Sequence, residues 1–106
     1  MIKDWFRRSV IKAKAAEIAD EIVHQYPPEL DQKNPAESKS DIKKKKTKLA
    51  KALKYGRSEI RKTSREMKLG IYGRARLCKS IQDILLNKKY TPEAIKMFIE
   101  QLAVTI

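Results

Sequence analysis

The sequence predicts a small all-α domain of four helices, one of them long and strongly basic. Apolar residues recur at three- and four-residue spacing in four separate stretches, the signature of amphipathic helices. Glycine and proline number only three and four, and three of the prolines (Pro27, Pro28, Pro35) fall together. No stretch alternates polar and apolar residues over a useful strand length, the tail from Ala103 to Ile106 being the nearest approach. A chain of 106 residues sets a single domain over 1–106 with one modest core.

The first helix is expected from Asp4, a plausible N-cap, to Tyr26. Its inner face is Ile11, Ala15, Ile18, Ile22 and Tyr26, widened by Ala16, Ala19 and Val23. Pro27-Pro28 ends it, because a residue before proline disfavours the α region. Residues 27–40 read as a flexible linker with a lone Leu30. Ser38 with Asp41 three residues on gives a capping-box signal. The second helix should run from there to about Lys68. Its apolar line is Ile42, Leu49, Leu53, Ile60 and Met67, with Gly56 and Thr63 on the same line. Lys43 to Lys46 are expected to fray, and Gly56 to mark a close helix crossing or a bend. Gly70 suits the left-handed position that closes a helix.

A third helix is expected over Arg74 to Asn87, with Leu77, Cys78, Ile81, Ile84 and Leu85 inward. Thr91-Pro92-Glu93 is a strong helix start: a Thr cap, Pro at the first helical position and an acid in the first turn. Ile95, Phe98, Ile99 and Leu102 follow at helical spacing.

The charge is unevenly placed. Net charge is +12, and the 26 residues from Lys43 to Lys68 hold twelve basic and two acidic groups. Such a block attracts polyanions or acidic surfaces. Lys44, Lys48, Lys51, Lys62 and Arg65 sit near one face of the second helix. Lys54, Arg57, Arg61 and Lys68 form the neighbouring stripe. Like charges three or four apart each cost a few tenths of a kcal/mol, and only Glu59 and Glu66 offset them. Arg57, Arg61 and Arg65 are spaced to engage phosphates bidentately. Tyr55 beside them is a candidate stacking residue for an exposed base, or a core-flanking side chain with its hydroxyl outward. Arg74 and Arg76, with Lys79, would extend the patch onto the third helix.

Other constellations are weaker. The last two helices suggest a helix-turn-helix, but Glu93, Lys96, Glu100 and Gln101 make a poor recognition face for a polyanion. Trp5-Phe6-Arg7-Arg8 has the composition of an interfacial anchor, although Glu17, Asp20 and Glu21 on the same helix would oppose anionic lipid. No stretch approaches the length of a membrane span, so stable membrane insertion is not expected, and the charged N-terminal stretch lacks a signal peptide's apolar run. His24 and Cys78 are single residues of their kind, too few for a zinc site or a catalytic triad. No glycine-rich phosphate loop is present. Neither an enzyme nor a cofactor is expected. With one cysteine no intrachain disulfide can form, and a reducing, cytoplasmic setting is the simplest.

The stretch YGRARLCKSIQDILLNKKYTPEAIKMFIEQL resembles one three-helix repeat of the RecX regulators in its Gly-Arg start, its turn after about fifteen residues and its Pro/Glu-led helix. It covers under a third of the chain, and no function is carried over from it.

The expected function is a non-enzymatic accessory protein that binds nucleic acid, DNA or RNA, through phosphates. The candidate contacts are Lys44, Lys48, Lys51, Lys54, Arg57, Arg61, Lys62, Arg65, Arg74 and Arg76. The alternatives are an adaptor whose basic helix docks an acidic protein, or a purely structural or oligomerising helical protein. A helix of roughly 26 residues would be about 39 Å long, more than the other helices could cover. That makes a homodimer through Ile42, Leu49, Leu53 and Ile60, or through the first helix, a further expectation.

Overall fold

The computed structural model describes residues 2–32 and 36–103, with side chains described from residue 8 onward. The helices are α1 (Ile2–Gln25), α2 (Pro28–Asp31), α3 (Lys39–Glu66), α4 (Ile71–Leu86) and α5 (Pro92–Ala103). The all-α class is as the apolar spacing predicts, and the described residues form no strand. The four long helices follow the four apolar stretches. The added α2 lies in the segment read as a linker. The apolar tail beyond Ala103, and the Trp5 and Phe6 side chains, lie outside the described residues.

α1 packs against both α3 and α4, and α5 closes the other side against the same two helices. The long helices thus form a ring in the order α1, α3, α5, α4. The predicted inner line of α1 is fully enclosed: Ile11, Ala15, Ile18, Ile22 and Tyr26 are buried, with Ala19. Ala16 is exposed instead, because it lies a further 100° round the helix from Ala15 and faces solvent. α1 begins two residues earlier than expected, so Asp4 lies inside its first turn rather than at the cap.

α3 opens with the predicted capping box. Asp41 N–H donates to Ser38 Oγ at 3.2 Å, and Ser38 N–H donates to Asp41 Oδ2 at 3.4 Å. Lys43 to Lys46 are helical. Lys45 Nζ reaches back to the Gln32 carbonyl at 3.0 Å and pairs with Glu37, which ties this end of the helix to the preceding segment. From Leu49 onward the apolar line turns inward. Leu53, Gly56, Ile60 and Thr63 are buried, while Ile42 remains 42% exposed. Leu53 and Ile60 are spent in the chain's own core, so two of the four residues expected to support a homodimer are unavailable for it. The long helix makes the molecule elongated, 54 × 21 × 19 Å.

The end of α3 corrects the expectation for Gly70. Lys68, not Gly70, takes the left-handed conformation, with φ of 51°. Leu69 N–H bonds the Ser64 carbonyl at 2.8 Å, and Lys68 N–H bonds the Arg65 carbonyl at 3.3 Å. This pair of bonds is the Schellman closure. It sets the break two residues earlier and buries Leu69. Gly70 becomes the N-cap of α4, with φ of −77°, and α4 starts at Ile71 rather than Arg74. A Cβ-bearing residue in the left-handed region is strained by about 1–2 kcal/mol, and glycine is not. Lys68→Gly is therefore expected to stabilise the protein by about 0.5–1 kcal/mol after glycine's greater unfolded-state entropy. A shift of the urea midpoint to higher concentration at constant slope would show it; an unchanged or lower midpoint would contradict it.

Leu77, Cys78, Ile81 and Leu85 of α4 are buried as expected, with Ile84 packed against them. In α5 the Thr91 cap is present, its Oγ1 accepting from Ala94 N–H at 3.3 Å. Ala94, Phe98 and Leu102 are buried, but Ile99 is 41% exposed. The four-residue spacing of those three places Ile99 at the edge of the α4–α5 seam, beside Leu86.

The segment read as a flexible linker carries a built joint. Tyr26 hydroxyl donates to Asp31 Oδ1 at 2.6 Å, and Asp31 Oδ2 accepts from Thr91 N–H at 2.5 Å. Gln32 Nε2 donates to the Lys89 carbonyl at 2.6 Å. Tyr90 hydroxyl donates to the Tyr26 carbonyl at 2.6 Å. The Tyr26 and Tyr90 rings stack at 6.0 Å, and Phe98 meets Tyr90 edge-on at 4.9 Å. The chain from α1 to α2 is thereby fastened to the α4–α5 turn.

Candidate nucleic-acid interface

Burial of Leu53, Gly56, Ile60 and Thr63 fixes the roll of α3, and with it the direction of every lysine on that helix. Lys51 stands about two and a half turns before Ile60, so it points directly away from the core. Lys44 and Lys62 share that outward direction. Lys48, Lys54, Arg61 and Arg65 flank it. All seven are exposed, and among the described residues none is held in an ion pair. From Lys44 to Arg65 the row is about 32 Å long at 1.5 Å per residue. Lys44, Lys48, Lys51 and Lys54 follow at four- and three-residue intervals, about 4.5–6 Å apart along the axis, and Arg61, Lys62 and Arg65 resume the row seven residues further on.

The structure separates the other three expected contacts from this row. Arg57 is half-buried, and its Nη1 donates to Gln101 Oε1 of α5 at 2.9 Å. It braces α3 against α5 rather than standing free. Arg74 is half-buried in the first turn of α4. Arg76 lines a groove with Arg8 and Lys12 of α1, on the α1 side of α4. Arg57 stands on α3 but turns toward α5, whereas Arg74 and Arg76 belong to α4, where Arg76 faces α1 rather than the cationic row.

Tyr55 lies on the α1 flank of α3, packed against the core. Partial burial raises its phenol pKa, and the charges of Glu59, Glu21 and Glu17 raise it further. Its surroundings are therefore acidic. That favours the core-flanking role and counts against stacking on a base. A flank of Glu17, Glu21 and Glu59 thus borders the cationic row on one side.

No catalytic arrangement emerges from the described side chains. Cys78 is enclosed by the core, and burial pushes its thiol pKa up, away from the reactive thiolate. Among the described residues no three His, Cys, Asp or Glu side chains converge as a metal would require. None of the described helices is long and apolar enough to cross a membrane. On α5, Glu93, Lys96 and Glu100 are exposed, with Lys96 and Glu100 3.9 Å apart. This mixed face is unlike a recognition helix.

No protein-family model, no curated protein and no solved structure matches this chain.

Proposed function

We propose that this protein is a non-enzymatic, cytoplasmic accessory protein that binds nucleic acid by laying α3 along the phosphate backbone. The observation that supports this reading is the row of seven exposed cations on the outward face of one anchored helix. Lysine ammonium groups are point charges with rotatable donors and contact phosphates without reading bases. The helix gains from the contact twice. Bound phosphates release condensed counterions, and they relieve the repulsion among lysines three and four residues apart.

The expected behaviour is binding with weak sequence preference and a steep salt dependence. Each phosphate contact adds about 0.9 to the slope of log affinity against log salt on duplex DNA. Replacing Lys51, Arg61 and Lys62 together with Ala should lower that slope by about 2–3 and weaken all sequences alike. The three side chains are exposed and alanine is a strong helix former, so the fold is retained and circular dichroism will confirm it. Fluorescence anisotropy with labelled DNA and RNA at about 50 mM salt measures both quantities; the absence of binding there would refute the reading. If polyglutamate binds as tightly as DNA at matched salt, the alternative of an acidic protein partner is the better one.

A further inference from the structure

Away from α3, the seam between α1 and α4 opens into a groove of about 460 Å³ lined by Arg8, Ser9, Lys12, Arg76 and Ser80. We infer that this groove is a second site, which takes the phosphates of a nucleotide, either free or at the 5′ end of a strand, with Tyr72 against its base.

Three features carry the assignment. Among the described residues the lining holds three cations and two hydroxyls and no acid. Phosphate oxygens accept from guanidinium, ammonium and hydroxyl donors alike, and two arginines offer the bidentate geometry that suits them. Next, the placement is enforced by the fold. Arg8 lies two turns before Ala15, on the α1 face that turns inward, yet it is exposed because it stands beyond the last buried residue, Ile11. Arg8 and Lys12 are one turn apart and repel each other, and Arg76 faces them from α4. No ion pair among the described residues neutralises any of the three. Finally, Tyr72, Arg76 and Ser80 are spaced one turn apart and so form one stripe on α4. Tyr72 is 93% exposed, an aromatic side chain left in water one helical turn before Arg76 of the groove. Aromatic side chains placed so stack on bases without reading their identity. The volume also suits a nucleotide, since small-molecule sites span about 300–1,000 Å³.

The test is an NMR titration of the full chain with pyrophosphate, with ADP, and with a short DNA strand carrying either a 5′-phosphate or a 5′-hydroxyl. Saturating amide shifts at residues 8–12 and 76–80 are expected at about 1 mM ligand. Arg76→Ala and Lys12→Ala should each weaken binding about tenfold. Tyr72→Ala should weaken ADP but not pyrophosphate. Saturation by ADP identifies a free nucleotide as the ligand. Saturation only by the 5′-phosphorylated strand identifies a nucleic-acid end. Shifts that stay unsaturated at about 10 mM, or that spread equally along α3, overturn the site. ADP binding no tighter than pyrophosphate overturns the role of Tyr72. Lys51→Ala should leave the groove shifts unchanged, so this site and the proposed α3 surface stand or fall separately.

Discussion

Replacing Gly56 with leucine is expected to lower the thermal midpoint by about 10–20 °C, a loss of about 2–3 kcal/mol. A Cβ at Gly56 would lie 3.0 Å from Leu102 Cδ2 and 3.1 Å from Ile22 Cδ1. Both neighbours are fully buried, so neither can swing into solvent to make room. Alanine adds only the Cβ. Its gain in helix propensity, about 1 kcal/mol, is set against that tight contact, and its net effect should be small. Leucine adds three further carbons at the point where α1, α3 and α5 meet, and overpacking dominates. Combining Gly56→Leu with Leu102→Ala should recover part of the loss, because the two changes share one space. If Gly56→Leu alone melts within a degree or two of the parent, the close three-helix crossing is wrong.

Removing the Asp31 carboxylate should have the second-largest effect. Asp31→Ala strips the acceptor from Tyr26 hydroxyl and Thr91 N–H together. Two donors then lose their partner, at about 1 kcal/mol each for a site that is only half-buried. A loss of about 2 kcal/mol is expected, a fall in midpoint of about 10 °C. Asp31→Asn, which keeps an acceptor oxygen, should recover roughly half. Equal stability of the alanine variant and the parent would mean the joint contributes nothing.

The same joint sets a response to alkali. Burial raises the Tyr26 phenol far above its ordinary value of 10.0, with the Asp31 hydrogen bond and charge adding to it. Burial does the same for Tyr90, again reinforced by the Asp31 charge. The folded chain therefore holds these two protons more tightly than the unfolded chain. Their contribution is fully present below pH 10 and is lost as pH rises beyond it. Phenolate absorbance from these two tyrosines should emerge together with the loss of helical circular dichroism, not before it.

Much of this architecture was legible in the sequence because it follows from periodicity and local capping. Ile11, Ala15, Ile18, Ile22 and Tyr26 are buried because they share one helical face. Ser38 with Asp41, and Thr91 with Pro92, start their helices where short-range hydrogen bonding requires. What was not legible depends on contacts distant in the chain. Leu69, Tyr90 and Asp31 sit in segments with no periodic signal, and each is fixed by residues from another helix or turn. Gly70 was the natural choice for the left-handed position by residue type, yet the inward register of Leu69 sets the closure at Lys68. The cationic row on α3 was visible from spacing alone. The departure of Arg57 and Arg76 from it was not, since that depends on which helices become neighbours in the ring.

The acidic flank beside that row has a kinetic meaning. Glu17 and Glu21 of α1 and Glu59 of α3 border Tyr55 on one side of the row, while Lys44, Lys48, Lys51 and Lys54 on the outward face of α3 stand exposed with no ion pair among the described residues. A charged rod drifting toward the molecule is pushed from one side of the helix and drawn to the other before any atoms touch. For the α3 surface proposed above, this would narrow the encounter with a polyanion to one lateral approach, parallel to the axis of α3. On that proposal, neutralising Glu17 and Glu21 should leave the affinity for a polyanion largely unchanged but widen the range of unproductive first collisions.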